Sequence, residues 1–125
     1  MTVVTKKAPG SVADVVARLL DLLKARKVTV FAVIDQAAAA RDVGLELRDT
    51  VLVVFGDPAA GTPVMAAAPL AALDLPLKVL IWDDQGQTTM SYRDPVPLAV
   101  EQGVPAETAA SLGAVGVLTD ALAAG

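Results

Sequence analysis

Between Ser11 and Arg26 apolar residues recur three and four apart, at Val12, Val15, Val16, Leu19, Leu22 and Leu23, while Asp14, Arg18, Asp21 and Lys24 fall largely on the other side. That is the period of an amphipathic α-helix. Ser11 with Asp14 three residues later resembles a capping box, which starts the helix at Val12. Only this one long helix intervenes before the strand-like runs succeed one another, which is not the order of a βαβαβ chain. An α+β class follows, a largely antiparallel sheet with helices on one face. At 125 residues the chain is expected to form a single domain over residues 1–125.

The other elements are shorter. Met1 to Ala8 reads as a first strand ended by Pro9-Gly10. Val28 to Ile34 is apolar and largely β-branched at both parities, the pattern of a central strand covered on both faces. Ala37 to Val43 reads as one or two helical turns closed by Gly44, and Val51 to Phe55 as a second buried strand. Thr62-Pro63 fits the cap and first residue of a short helix that stops near Pro69. Leu77 to Trp82 and Thr88 to Tyr92 form a hairpin across residues 83–87, where Gly86 accepts a positive φ. Pro97 to Gln102 is a short helix before Gly103, and Pro105 to Ala124 a C-terminal helix packing through Leu112, Leu118 and Leu122.

The chain has no His and no Cys. Ser-His-Asp or Cys-His catalysis, zinc centres, haem held by His or Cys, iron–sulfur clusters and disulfides are therefore excluded, and no cofactor is expected. Ten basic against fourteen acidic residues give a net charge of −4. With a pI near 4.6 and no basic stripe, neither nucleic acid nor an anionic membrane is an expected partner. The mean hydropathy is high, +0.57, but the longest weakly polar stretch, residues 63–73, is interrupted by Pro69 and too short to span a bilayer. Charged residues interrupt the apolar segment near the N-terminus, so a cytoplasmic protein with nothing removed is expected.

Gly56-Asp57-Pro58-Ala59-Ala60-Gly61-Thr62 has the glycine spacing of a phosphate loop, but Thr62 stands where the lysine belongs and Asp57 adds a negative charge. A turn and helix cap is the better reading. Asp35, Asp57, Asp74, Asp83, Asp84 and Asp94 lie at strand ends or in loops, where Asp is a common turn residue. Gathered together, such carboxylates would bind a hard cation or share acid and base roles. Tyr92-Arg93-Asp94-Pro95 would present a hydroxyl, a guanidinium and a carboxylate at one sheet end. Lys78 within an apolar strand reads as a solvated edge position before it reads as a nucleophile.

These residues combine into a wider pattern. Ile34-Asp35-x-Ala37-Ala38-x-Ala40, Val43-Gly44-Leu45-x-Leu47, Phe55-Gly56-x-Pro58, Gly61-Thr62-Pro63, Ala72 to Lys78 and Tyr92-x-Asp94-Pro95 resemble the family called domain of unknown function 302. The resemblance runs from the first strand to the helix after Pro95. It implies a compact bacterial or archaeal domain of strand, helix, four strands and helix, TATA-binding-protein-like and often homodimeric, with no assigned activity. The family pattern commonly has His where this chain has Gln36, an R-H-G stretch at Glu101-Gln102-Gly103, and Asn at Asp57. Any metal, haem or proton-transfer role of those histidines would be lost here.

The expected function is a homodimeric module binding a small molecule or a protein, with Asp35, Gln36, Asp57, Tyr92 and Asp94 as candidate ligand-binding residues. The alternatives are a small hydrolase or isomerase using Asp35 and Asp94 as carboxylates with Tyr92 as donor, and a metal site of Asp oxygens alone.

Overall fold

The computed structural model describes residues 3–125; the start of the expected first strand, Met1 and Thr2, lies outside them. Five strands form one antiparallel sheet: β1 (Val3–Lys7), β2 (Thr29–Asp35), β3 (Thr50–Gly56), β4 (Leu77–Asp84) and β5 (Gln87–Arg93), in spatial order β1-β5-β4-β3-β2. Two helices, α1 (Val12–Ala25) and α6 (Ala114–Ala124), cover one face. The main core lies between them and the sheet, built from Leu19 and Leu23 of α1, Leu118 and Leu122 of α6, and Val53, Phe55, Val79, Ile81 and Met90 of the strands.

The capping box forms as its residues demand. Ser11 Oγ accepts from the Asp14 amide at 3.0 Å and Asp14 Oδ2 accepts from the Ser11 amide at 3.1 Å. The bonds from the Ser11 backbone and side chain hold the Asp14 carboxyl below its ordinary value, so the cap weakens only in acid. The hairpin between β4 and β5 closes on two residues, Gln85 and Gly86, both at positive φ (51° and 90°), shorter than the five-residue connection expected. Such a turn matches the twist of the strands it joins, and glycine takes its second position without strain.

A second apolar cluster sits beyond the Leu77 end of the sheet. It is built by α3 (Pro58–Ala67), a 3₁₀ turn at Pro69–Asp74, α4 (Pro95–Glu101), α5 (Ala106–Ala109) and a second 3₁₀ turn at Ala110–Gly113, around Val64, Ala71, Ala99, Val104, Ala109 and Leu112.

Four local expectations are corrected. Val28–Ile34 does not run as a central strand covered on both faces: β2 is one of the sheet's two outer strands, and Val30, Phe31, Val33 and Ile34 are exposed. The helix expected from Thr62-Pro63 starts at Pro58, because Asp57 caps it and Pro58 fills a first position needing no amide. Pro63 then lies inside α3, on a stretch where neighbouring Ala59 is exposed and its carbonyl can reach water. The C-terminal helix breaks into α5, the 3₁₀ turn and α6, although Leu112, Leu118 and Leu122 are buried as expected. Lys78 is solvated, but on the central strand β4 rather than at an edge.

Candidate functional site

In antiparallel pairing, opposed residues share a face. Val51, Val53 and Phe55 point at the helices, so Thr50, Leu52 and Val54 point away, as do Lys78, Leu80 and Trp82 opposite them on β4 and Ser91 and Thr89 on β5. This second face is more apolar than a solvated one. Leu52, Val54, Leu80 and Trp82 are all half-buried. Its polar groups form a chain across three strands: Trp82 Nε1 donates to Ser91 Oγ at 3.0 Å, and Ser91 Oγ lies 3.1 Å from Thr5 Oγ1.

The ladder between β4 and β5 runs from Asp84 opposite Gln87 to Leu80 opposite Ser91 and stops there. Beyond it Leu77–Val79 and Tyr92–Arg93 diverge, and a cleft of about 530 Å³ opens in the gap. Leu52, Leu80 and Ser91 form its floor, Leu73 of the Pro69–Asp74 turn with Pro95 and Leu98 of α4 its wall, and Lys78 and Arg93 its charged rim. Asp74 also borders it, but Asp74 Oδ2 accepts from Gln102 Nε2 at 3.1 Å. Lys78 Nζ donates to the Pro76 carbonyl at 3.2 Å, which anchors the ammonium at the rim.

Three of the residues singled out from the sequence share one local role. Asp35, Asp57 and Asp94 are the N-caps of α2 (Gln36–Asp42), α3 and α4; their carboxylates accept from the amides of Ala38 at 2.9 Å, Ala59 at 3.0 Å and Val96 at 3.1 Å. They are not brought together. Asp35 stands opposite Val51 at one end of the sheet, while Asp57 follows Gly56 at the other, where Asp94 follows β5. Gln36 is exposed at the Asp35 end, far along the strands from Gln102, so the two positions where the family pattern has histidine do not meet within one chain. Among the described residues, no three carboxylates gather closely enough to hold a cation. Ala substitution at Asp57 or Asp94 should cost about 1 kcal/mol, the ordinary loss of a cap, read from urea midpoints; no loss would mean the carboxylate is not spent on the helix.

Tyr92 and Arg93 border the cleft, yet the trio of hydroxyl, guanidinium and carboxylate does not converge. Arg93, opposite Val3, shares the open face, whereas Tyr92 points at the helices. Its hydroxyl accepts from Lys6 Nζ at 3.3 Å. Lys6 Nζ also donates to Thr119 Oγ1 at 2.7 Å and the Gly116 carbonyl at 3.2 Å, and pairs with Asp120 at 2.8 Å. Burial opposes the Lys6 charge, but the bonds to Asp120 and Tyr92 and their charges outweigh it, and its pKa is raised. A Cβ at Gly116 would stand 3.5 Å from the Tyr92 hydroxyl, an ordinary van der Waals contact, so the approach does not depend on glycine there.

Leu52, Leu80 and Leu98 escaped sequence reasoning because they come from separate elements. The available signal was the apolar outward parity of β3 and β4, where a solvated face would carry polar side chains.

The chain is 36% identical over 97 residues, 77% of its own length, to proteins of Brucella suis and Brucella abortus named fluoride-specific ion channels. It spans 38% and 36% of those curated relatives. No helix among the described residues is long and apolar enough to cross a membrane. A crystal structure of an uncharacterized conserved protein DUF302 from Bacillus stearothermophilus superposes with a TM-score of 0.81, covering 98% of this chain and 96% of that one at 20% identity, and so shares the α+β fold. With its family pattern matched from residue 3 to residue 120, the chain belongs to the family described as Domain of unknown function DUF302.

Proposed function

We propose that the chain is a homodimeric binding module whose ligand is a small organic anion with an apolar body, held in the cleft between β4, β5 and the second cluster. The observation that carries this reading is the cleft's lining. Leucines from three parts of the chain meet there, with Arg93 and Lys78 at the rim and the nearby Asp74 carboxylate engaged by Gln102. Binding sites of this size are mostly apolar with a few polar groups that set orientation. A carboxylate would meet the guanidinium in a bidentate pair while an aliphatic tail covers Leu52, Leu80 and Leu98. A bare fluoride ion would leave that apolar lining in water. In the Brucella proteins a stretch like this chain makes up little more than a third of the length, which supports a module that can also be carried within a longer chain.

Trp82 is the chain's one tryptophan and donates to Ser91 on the cleft floor, so its fluorescence reports on occupancy. Titrated with octanoate, the protein should show a saturable change with a dissociation constant of about a millimolar or tighter. Octanol and sodium fluoride should give none. Replacing Arg93 and Lys78 by Met should weaken octanoate binding about tenfold or more. Equal responses to octanoate and octanol, or none to octanoate, would sink the anion reading.

A further inference from the structure

We propose that β2 seats a second copy of this chain, the two β2 strands pairing antiparallel about a two-fold axis near Phe31 so that the two sheets become one. This rests on the reading of the chain as a homodimer and identifies the surface that makes it.

An outer strand presents unpaired backbone groups, and proteins that remain single blunt such edges with charges, prolines, bulges or very short strands. β2 has no charge and no proline between Thr29 and Ile34 and runs for seven residues, its one irregularity a register shift at Phe31. Its apolar side chains are exposed on both faces, Val33 on the helix side opposite Val53 and Ile34 on the open side opposite Leu52. On the helix side, Val33 borders an open groove of about 330 Å³ shared with Val16 and Leu20 of α1. The segment leading into β3 adds Val43, Leu45 and Leu47, all exposed.

Area and charge select a second copy as the occupant. Taking roughly 150–200 Å² for a fully exposed apolar residue, Val30, Phe31, Val33, Ile34, Val43, Leu45 and Leu47 together leave on the order of 600 Å² in water, most of the roughly 800 Å² that each partner buries in a standard interface. Lys27 precedes the strand and Asp35 ends it. A two-fold axis at Phe31 sets each Lys27 against the partner's Asp35, so a strand uncharged from Thr29 to Ile34 is complementary to itself at both ends. The other edge of the sheet is unsuited to the same contact, since β1 carries Lys6 and Lys7. The assembly therefore closes at two copies. A register shift between Val30 and Ala32 places Phe31 in a bulge, so the backbone pairing between the two copies falls on the residues either side of the axis and not at Phe31 itself.

Sedimentation velocity on the full chain, up to about 100 µM, tests the inference. Wild type should sediment at twice the chain mass. Val33→Lys should give monomer, with dissociation at least about a hundredfold easier, and Val117→Lys, equally a charge placed on an exposed valine but on α6, should remain dimeric. A wild-type dimer that survives Val33→Lys overturns the edge assignment and leaves the homodimer standing; a monomeric wild type overturns both. Because the chain has no cysteine, Phe31→Cys supplies a test independent of the lysine variants. Mild oxidation should link two chains covalently, while the same substitution at Val117 should not; the reverse result overturns the assignment.

Discussion

Replacing Phe55 with Ala will lower the free energy of unfolding by about 3–5 kcal/mol, the cost of a large cavity in a core that cannot collapse around it. Phe55 is 1% exposed on β3, opposite Leu77, and belongs to the cluster with Leu19, Leu23, Val79 and Leu118. The chain has only two phenylalanines, and this one lies where the sheet is covered by helices. No neighbouring aromatic supplies the missing volume, since aliphatic and small side chains make up the rest of that core apart from Tyr92. Urea denaturation followed by circular dichroism gives the value. A loss below about 1 kcal/mol would mean that Phe55 does not face the helices, and the register between β3 and β4 would have to move by one residue.

The second large effect is expected at Lys6. Lys6→Met keeps much of the stem but removes the ammonium that joins Thr119, the Gly116 carbonyl, Tyr92 and Asp120. The cost should be about 1–3 kcal/mol at pH 7, mainly from polar groups at the β1–α6 contact left without their donor. The pH dependence has a definite sign. The folded pKa of Lys6 is raised above its unfolded value, so its stabilisation is complete at neutral pH and is lost only as alkali carries the pH through the raised value. Wild type and Lys6→Met should therefore differ by a constant amount from pH 6 to 9 and converge only in alkali, above the ordinary lysine range. A gap that persists in strong alkali would show that the Lys6 ammonium is not what holds the contact.

Much of the fold was legible wherever one local rule decided it. The α1 period and its capping box act within a single turn, and no tertiary contact competes with them. The outer position of β2 was not legible, because an apolar run at both parities has two physical causes. Cover from both sides is one, and an edge left bare by its own chain is the other; Val30 to Ile34 look the same in either case. The break before α6 was hidden because alanine is content in α-helical and 3₁₀ turns alike, and only packing against the second cluster distinguishes them. At the candidate site, the aspartates were visible and so was the capping chemistry that occupies three of them. The cleft was not, since it exists only because two strands separate after Ser91, which no residue type announces.

The second cluster owes most of its burial to small side chains: Ala68, Ala71, Ala99 and Ala109 around Val64, Val104 and Leu112. An alanine removes little apolar surface from water, so each residue of that lobe is held by less free energy than one in the sheet. Segments of this kind open locally well before the molecule unfolds. The lobe also supplies the cleft wall at Leu73, Pro95 and Leu98. An occupant that grips both the alanine-rich lobe and the sheet should therefore slow the lobe's local opening and tie its amide exchange to the occupant's own residence time.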